Sequence, residues 1–236
     1  MTQLQTLSVM LAVFSSAAVG QSDAKPPTIA VLDFNNSALT ADAARYEPFR
    51  AGISDMLMTE LSRNPKIILV ERARVMKLLE EQDLAKTGRV DPGTAARLGK
   101  ILGAQYIVTG GFVIDRKERL RLDARAVNVE TSEVAYVETV SGGADDLLDL
   151  TVKLADAMNK GMRLAPLPAA PKATESSAPQ HGRLQSLLLY STALIEEGRN
   201  PSKAKNLYTQ FLKTSPADFA LAQRSRAEAR LRALGG

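Results

Sequence analysis

The chain has 236 residues, 45% of them hydrophobic and 24% charged, enough for one well-buried domain with an appendage. It contains no cysteine and a single histidine, His181, in a polar stretch near prolines, which excludes disulfide frameworks and any zinc site assembled from His and Cys. The formal charge of +4 is unevenly spread, because residues 164–236 hold ten Lys and Arg against five Asp and Glu. The cations Arg224, Arg226, Arg230 and Arg232 in that tail read as a solvated helix face. They lack the clustering and aromatic interleaving that nucleic-acid binding requires.

Leu7 to Val19 is an apolar, small-residue run too short to span a bilayer, and it ends in Ala18-Val19-Gly20. It reads as a secretory signal peptide over residues 1–20, although the preceding Met1 to Gln5 lacks the usual basic residue. Cleavage is expected before Val19 or Gln21. With no cysteine in the chain, attachment by the lipoprotein route is excluded, and no later stretch approaches eighteen consecutive apolar residues.

Next come an apolar strand from Thr28 to Phe34 and a helix from about Pro48 to Asn64. Proline suits a first helical position, and Phe49, Ile53, Met56, Leu57 and Leu61 form one stripe. Strand Ile67 to Val70 follows, then a helix from Arg72 burying Val75, Leu78 and Leu79. A third helix is announced by Asp91 as N-cap and Pro92 behind it. From Tyr106 apolar residues alternate through Val108, Phe112 and Ile114, and after a charged turn they resume at Leu120, Leu122, Ala124 and Ala126. This predicts an antiparallel hairpin with one wet side. A further strand runs from about Val134 to Val140. Gly142-Gly143 are expected to break the sheet before Asp145-Asp146 open a helix carrying Leu147, Leu150, Leu154, Met158 and Met162.

Residues 164–182, rich in Pro, Ala and Ser, predict an extended, disordered linker. The tail then predicts three helices, the second ending at Ser215-Pro216. The spacing of Ala204, Tyr208 and Pro216 resembles the second half of a tetratricopeptide repeat. One such unit cannot cover its own apolar face. The linker lets it reach its own first domain, a neighbouring subunit or a separate partner. Residues 183–236 are therefore expected to form a docking module whose removal leaves the first domain folded.

Few constellations suggest chemistry. The stretch Gly93 to Lys100 mimics a phosphate loop, but its glycine spacing is one residue too long and Ile101 stands where Ser or Thr must meet Mg²⁺. Gly99 and Gly103 are better explained by close helix packing and a C-cap. The carboxylates Glu80, Glu81 and Asp83, and Asp145, Asp146 and Asp149, are adjacent in sequence but point in different directions on a helix. The second trio suits a helix N-terminus. Asp33 ends a strand where α/β sheets place ligands, and the expected role is capping the adjoining loop through backbone N–H groups. No catalytic, cofactor-binding or metal residue is assigned, and no cofactor is expected.

Taken in order, Thr28 to Asn36, Met58-Thr59-Glu60-Leu61, Val70-Glu71-Arg72, Leu98 to Gly110, and Ala126-Val127-Asn128-Val129 with Thr131 and Glu133-Val134 resemble the CsgG family of curli assembly and transport proteins. They are also more loosely similar to the TolB amino-terminal domain. The resemblance spans roughly residues 28–163. One departure is Ser132, at a turn position where the family usually has glycine; if the turn needs a positive φ, serine costs on the order of 1 kcal/mol.

The fold class expected is α/β, a mixed sheet flanked by helices, followed by the linker and a small all-helical module. The expected divisions are 1–20, 21–163, 164–182 and 183–236. The resemblance implies a non-enzymatic, periplasmic envelope protein that acts through protein partners in curli, surface-structure or envelope assembly and secretion. A homo-oligomer is compatible with this, and membrane association is at most peripheral. Two alternatives are an outer-membrane secretion pore and a nucleotide- or metal-binding sensor or hydrolase. The pore needs spanning hairpins of roughly 9 to 11 residues per strand, and the short connections at Asp115–Arg119 and Ser141–Asp145 leave no room for them.

Overall fold

The computed structural model describes residues 25–37, 41–82, 90–168 and 182–235. The expected leader, Asp83, His181 and most of the linker lie outside the described residues. Among the described residues, six strands form a mixed sheet and seven α-helices cover both of its faces or make up the tail.

The sheet begins with β1 (Thr28–Val31), β2 (Asn35–Asn36) and β3 (Ile68–Leu69), of which β1 and β3 are shorter than the apolar runs that contain them and β2 is polar. The hairpin strands β4 (Tyr106–Ile114) and β5 (Arg119–Asn128) and the last strand, β6 (Val134–Gly143), are long. The spatial order is β3-β1-β4-β5-β6, with β2 also beside β4. The pairs β1–β3, β1–β4 and β2–β4 are parallel, and β4–β5 and β5–β6 antiparallel.

Between the strands lie α1 (Phe49–Leu61), α2 (Arg72–Glu81) and α3 (Pro92–Leu102). Asp91 caps α3 as expected, its carboxylate accepting from the Thr94 amide at 3.0 Å. Gly103 ends the helix at φ +68°, a conformation that glycine adopts without strain. Gly99 carries no side chain because a Cβ there would collide with Val129 across the helix–sheet contact. Ser132 adopts φ +60°, so the β5–β6 turn does require the left-handed region and serine bears the cost anticipated.

The two faces differ. On one, Ile29, Val31, Phe112, Leu122 and Ala126 pack under α1 and α4 (Leu147–Gly161). On the other, Ala30, Ile107 and Val127 pack under α2 and α3. The hairpin's second face is therefore wet only beyond α3, around Arg121, Asp123 and Arg125. The glycine pair does not break the sheet. Gly142 pairs with Leu120 and Gly143 with Arg119, and an added Cβ at Gly142 would stand 3.2 Å from the Leu150 side chain. Their role is to let α4 lie close on β6. Leu147, Leu150, Leu154, Met158 and Met162 are all buried there, as the spacing predicts.

The tail forms α5 (Arg183–Glu196), α6 (Pro201–Thr214) and α7 (Leu221–Gly235). It does not stand apart. Leu187, Tyr190, Leu194, Tyr208 and Phe211 belong to the same apolar core as Ile53, Leu57 and Phe49. Of the occupants expected for the tail's apolar face, the structure shows its own first domain. A shared core does not fit the expectation that the tail is dispensable for folding. The seam explains why α1 is buried almost all round, from Phe49 through Met58 except Arg50.

Candidate functional site: the carboxyl end of the first strand and the groove beside it

Beyond Val31 the chain crosses the carboxyl end of the parallel strands, tied down by Leu32 N–H to Val108 O at 2.9 Å and Phe34 N–H to Arg50 O at 3.1 Å. Asp33 sits at this crossing. Its carboxylate takes Arg72 Nη2 at 3.0 Å on both oxygens and lies 3.1 Å from Ser54 Oγ. These described partners are side chains, which corrects the expectation of a backbone cap. Arg72 opens α2 and Ser54 lies in α1, so the carboxylate joins the two helical layers across the end of β1.

Two depressions flank this point. One, of about 380 Å³, lies between Asp33, Arg50, Arg72 and Glu80 and the end of α5 with Leu194 and Arg199. The other, of about 550 Å³, runs over the uncovered sheet face and is lined by Asn35, Asp91, Gly111, Asp123, Arg125 and Val137. Val90 and Thr109 line both, so the two lie side by side, one over the wet face of the hairpin and one at the seam with the tail, and are together called the groove. Arg125 Nη2 donates to Val90 O at 2.6 Å and fixes the entry of α3 beside it.

The charges along this groove are largely spent on one another. Arg72 pairs with Asp33, Arg50 with Glu47 at 2.9 Å, and Arg121 with Asp123 at 2.7 Å. Ser54 has a carboxylate beside its hydroxyl but is fully buried, so it cannot meet a substrate. The arrangement offers an open, strand-floored surface with alternating charge, suited to an extended polypeptide more than to a reacting small molecule.

Two members of the second acidic cluster have structural roles. Asp145 accepts the Leu184 amide at 3.0 Å and caps the start of α5, while Asp146 Oδ2 accepts the Gly143 amide at 3.3 Å. Among the described residues no group of His, Cys, Asp and Glu could hold a metal ion. The stretch from Gly93 to Lys100 is part of α3, packed on the sheet rather than wrapped around an anion.

Arg232 is exposed, but three of the four tail cations are not a solvated face. Arg226 Nη2 reaches Asp55 Oδ1 at 2.9 Å, and Arg230 reaches both Asp55 at 3.5 Å and Glu197 at 2.5 Å. Arg224 Nη1 donates to the carbonyls of Leu212 and Ser215, both at 3.1 Å. Tyr190 donates to Asp55 Oδ2 at 2.6 Å and Tyr208 to Glu197 at 2.5 Å. Burial, with the neighbouring carboxylate, pushes both phenols well above their ordinary range, so they remain neutral donors. Burial also works against the charge of Arg230, but Tyr208, Glu197 and Asp55 around it more than offset this. Sequence reasoning missed Asp55. The available signal was its place as the only charge between Ala51 and Thr59, in a helix apolar on every side.

Residues 10–114, ending at the last residue of β4, match the model of the family described as Curli production assembly/transport component CsgG. No curated protein matches the chain. Solved structures similar to it include the LpoB C-terminal domain from Salmonella enterica, 16% identical over 52% of this chain and 87% of that one, with a TM-score of 0.40. Lipoprotein GNA1162 from Neisseria meningitidis is 16% identical over 50% and 81%, with a TM-score of 0.40. TolB from Acinetobacter baumannii is 16% identical over 58% of this chain but 28% of its own, with a TM-score of 0.40. Among the described residues, no helix is long and apolar enough to cross a membrane.

Proposed function

We propose that this chain is an exported, non-enzymatic protein of the bacterial envelope, a protein-interaction scaffold in curli, surface-structure or envelope assembly and secretion. The observation that carries this is the CsgG match over residues 10–114. The geometry supports it, because the groove beside β1 offers strand-face contact area with most of its charges paired and, among the described residues, no nucleophile–base pair facing it. Periplasmic placement follows from the leader read in residues 1–20, and the division into a domain over 21–163, a linker over 164–182 and a tetratricopeptide-like module over 183–236 belongs to the same proposal. The module acts by covering α1 and walling one end of the groove with Leu194 and Arg199.

Cell fractionation with mass spectrometry of the amino terminus tests the setting. A periplasmic chain beginning at Val19 or Gln21 is the expected result, and an intact Met1 on cytoplasmic protein overturns it. A thermal-shift screen against nucleotides and divalent metals tests the class. Stabilisation by any of them at micromolar concentration would replace the scaffold with a sensor or hydrolase.

A further inference from the structure

The sheet has two ends of very different kind. At one, β3 contributes two residues; at the other, β6 runs for ten, Val134 to Gly143, and among the described residues nothing pairs with its outer side. Proteins that keep a long edge strand free blunt it with lysines, prolines or central bulges, since the unpaired N–H and C=O groups are a template for another strand. The strand β6 has no lysine and no proline, and its one charged residue is Glu138. Two of the most exposed large apolar residues of the protein, Val137 at 60% and Val134 at 41%, lie on it.

The irregularity in the β5–β6 ladder falls at its start, where Val134 and Tyr136 face adjacent residues of β5 and Ala135 is the extra one. Beyond this, Tyr136 to Gly142 is regular, and Thr139 is its centre. Antiparallel pairing of that segment with its own copy about Thr139 sets Tyr136 opposite Gly142, Val137 opposite Ser141, Glu138 opposite Val140, and Thr139 opposite itself. On the uncovered face Val137 comes opposite Ser141 and the two Thr139 residues meet, while on the face under α4 Glu138 lies opposite Val140 and never faces Glu138. The side chains of Tyr136 and Glu138 are already hydrogen-bonded to each other. A segment that is its own complement under a two-fold axis fits a second copy of this chain, because an isologous interface requires this self-matching.

We infer that β6 is a homodimerisation edge, pairing antiparallel with β6 of a second copy about Thr139 to make one continuous sheet. This is independent of the envelope reading, since it rests only on the edge strand.

The absence of cysteine makes the test clean. In an antiparallel pair, directly opposed residues bring their Cα atoms to about 4.5–5.5 Å, within disulfide range. Light scattering of the purified protein is expected to give twice the mass of one chain, and Thr139→Cys is expected to cross-link that species under mild oxidation. Leu221→Cys, on an exposed residue of α7, is expected not to. Val137→Lys enters a two-fold interface twice and is expected to weaken association by at least about tenfold while leaving the circular dichroism spectrum unchanged. A monomer at the highest soluble concentration overturns the inference, as does a dimer that Thr139→Cys fails to cross-link and Val137→Lys fails to weaken. Cross-linking of Thr139→Cys to a different protein instead of to itself would also overturn it, because the edge would then serve a foreign strand.

Discussion

Arg226 on the last helix places its Nη2 2.9 Å from the Oδ1 of Asp55, a fully buried carboxylate in the middle of α1. The same carboxylate receives the Tyr190 hydroxyl on its other oxygen. One acidic residue of the first domain thus organises two helices of the tail. Replacing Asp55 with alanine leaves Arg226, Arg230 and Tyr190 without their shared acceptor. Removing one partner of a buried ion pair costs about 3–5 kcal/mol, and the partial exposure of both guanidinium groups moves the expectation to about 3 kcal/mol. Urea unfolding of Asp55→Ala should show that loss as a lower midpoint. An unchanged midpoint would mean that the network adds nothing to the seam.

Where α5 crosses α1, closeness is set by Gly52. A Cβ there would run into the Ser191 hydroxyl and stand 2.7 Å from Ser191 Cβ. Gly52→Ala gains helix propensity yet forces the helices apart, and overpacking of this kind costs about 1–3 kcal/mol. Ser191→Gly should restore most of the loss in the double variant. A double-mutant cycle is expected to give a coupling of about 1 kcal/mol or more. Simple additivity would mean that the two residues are not in contact.

Much of the fold could be read because its signals are local. Asp91-Pro92 marks the start of α3, Gly103 its end, and the alternation from Tyr106 to Ala126 the hairpin; each is decided by its own few residues. The errors arise where a partner distant in sequence decides. Gly142-Gly143 looks like a break until α4 is seen to need the space above Gly142. Arg226 and Arg230 look solvated until Asp55, more than 170 residues away, is found beneath them. Asp33 is legible as a carboxylate at a strand end, but its partner Arg72 belongs to another element, so its ion pair has no local signal. The groove itself has no sequence signature, because Val90, Thr109, Asp123 and Val137 converge only through sheet order.

The β4–β5 turn is closed by Asp115, whose Oδ1 accepts the amides of Lys117 at 2.8 Å and Arg119 at 2.9 Å. The Arg119 amide above all holds this carboxyl below the ordinary aspartate value of 3.8. A carboxyl whose folded value is depressed contributes stability that is fully present above the unfolded value and lost as pH falls through the folded one. Amide exchange at Lys117 and Arg119 is therefore expected to accelerate, relative to the rest of the hairpin, once pH drops below 3.8. Asp115→Asn should abolish the added pH dependence. If exchange there simply follows the hairpin as a whole, the carboxylate does not hold the turn.

The seam also predicts what happens when the tail is removed. In a chain ending at Pro168, α1 loses the cover of α5 and α7, so Asp55 is left without Tyr190, Arg226 and Arg230, and the apolar surface that met Leu187, Tyr190 and Phe211 faces water. Apolar surface contributes roughly 25 cal/mol per Å² when buried, and uncovering one side of a central helix uses a large part of the 5–15 kcal/mol that holds a domain together. The truncated protein is expected to melt at a markedly lower temperature, to bind a hydrophobic dye and to aggregate. Adding residues 182–236 as a separate peptide should reverse part of this by mass action, and more of it at higher peptide concentration. A truncated protein that melts as the full chain does, with no dye binding, would show that α1 is stable without its cover and that the tail is held there for a purpose other than folding.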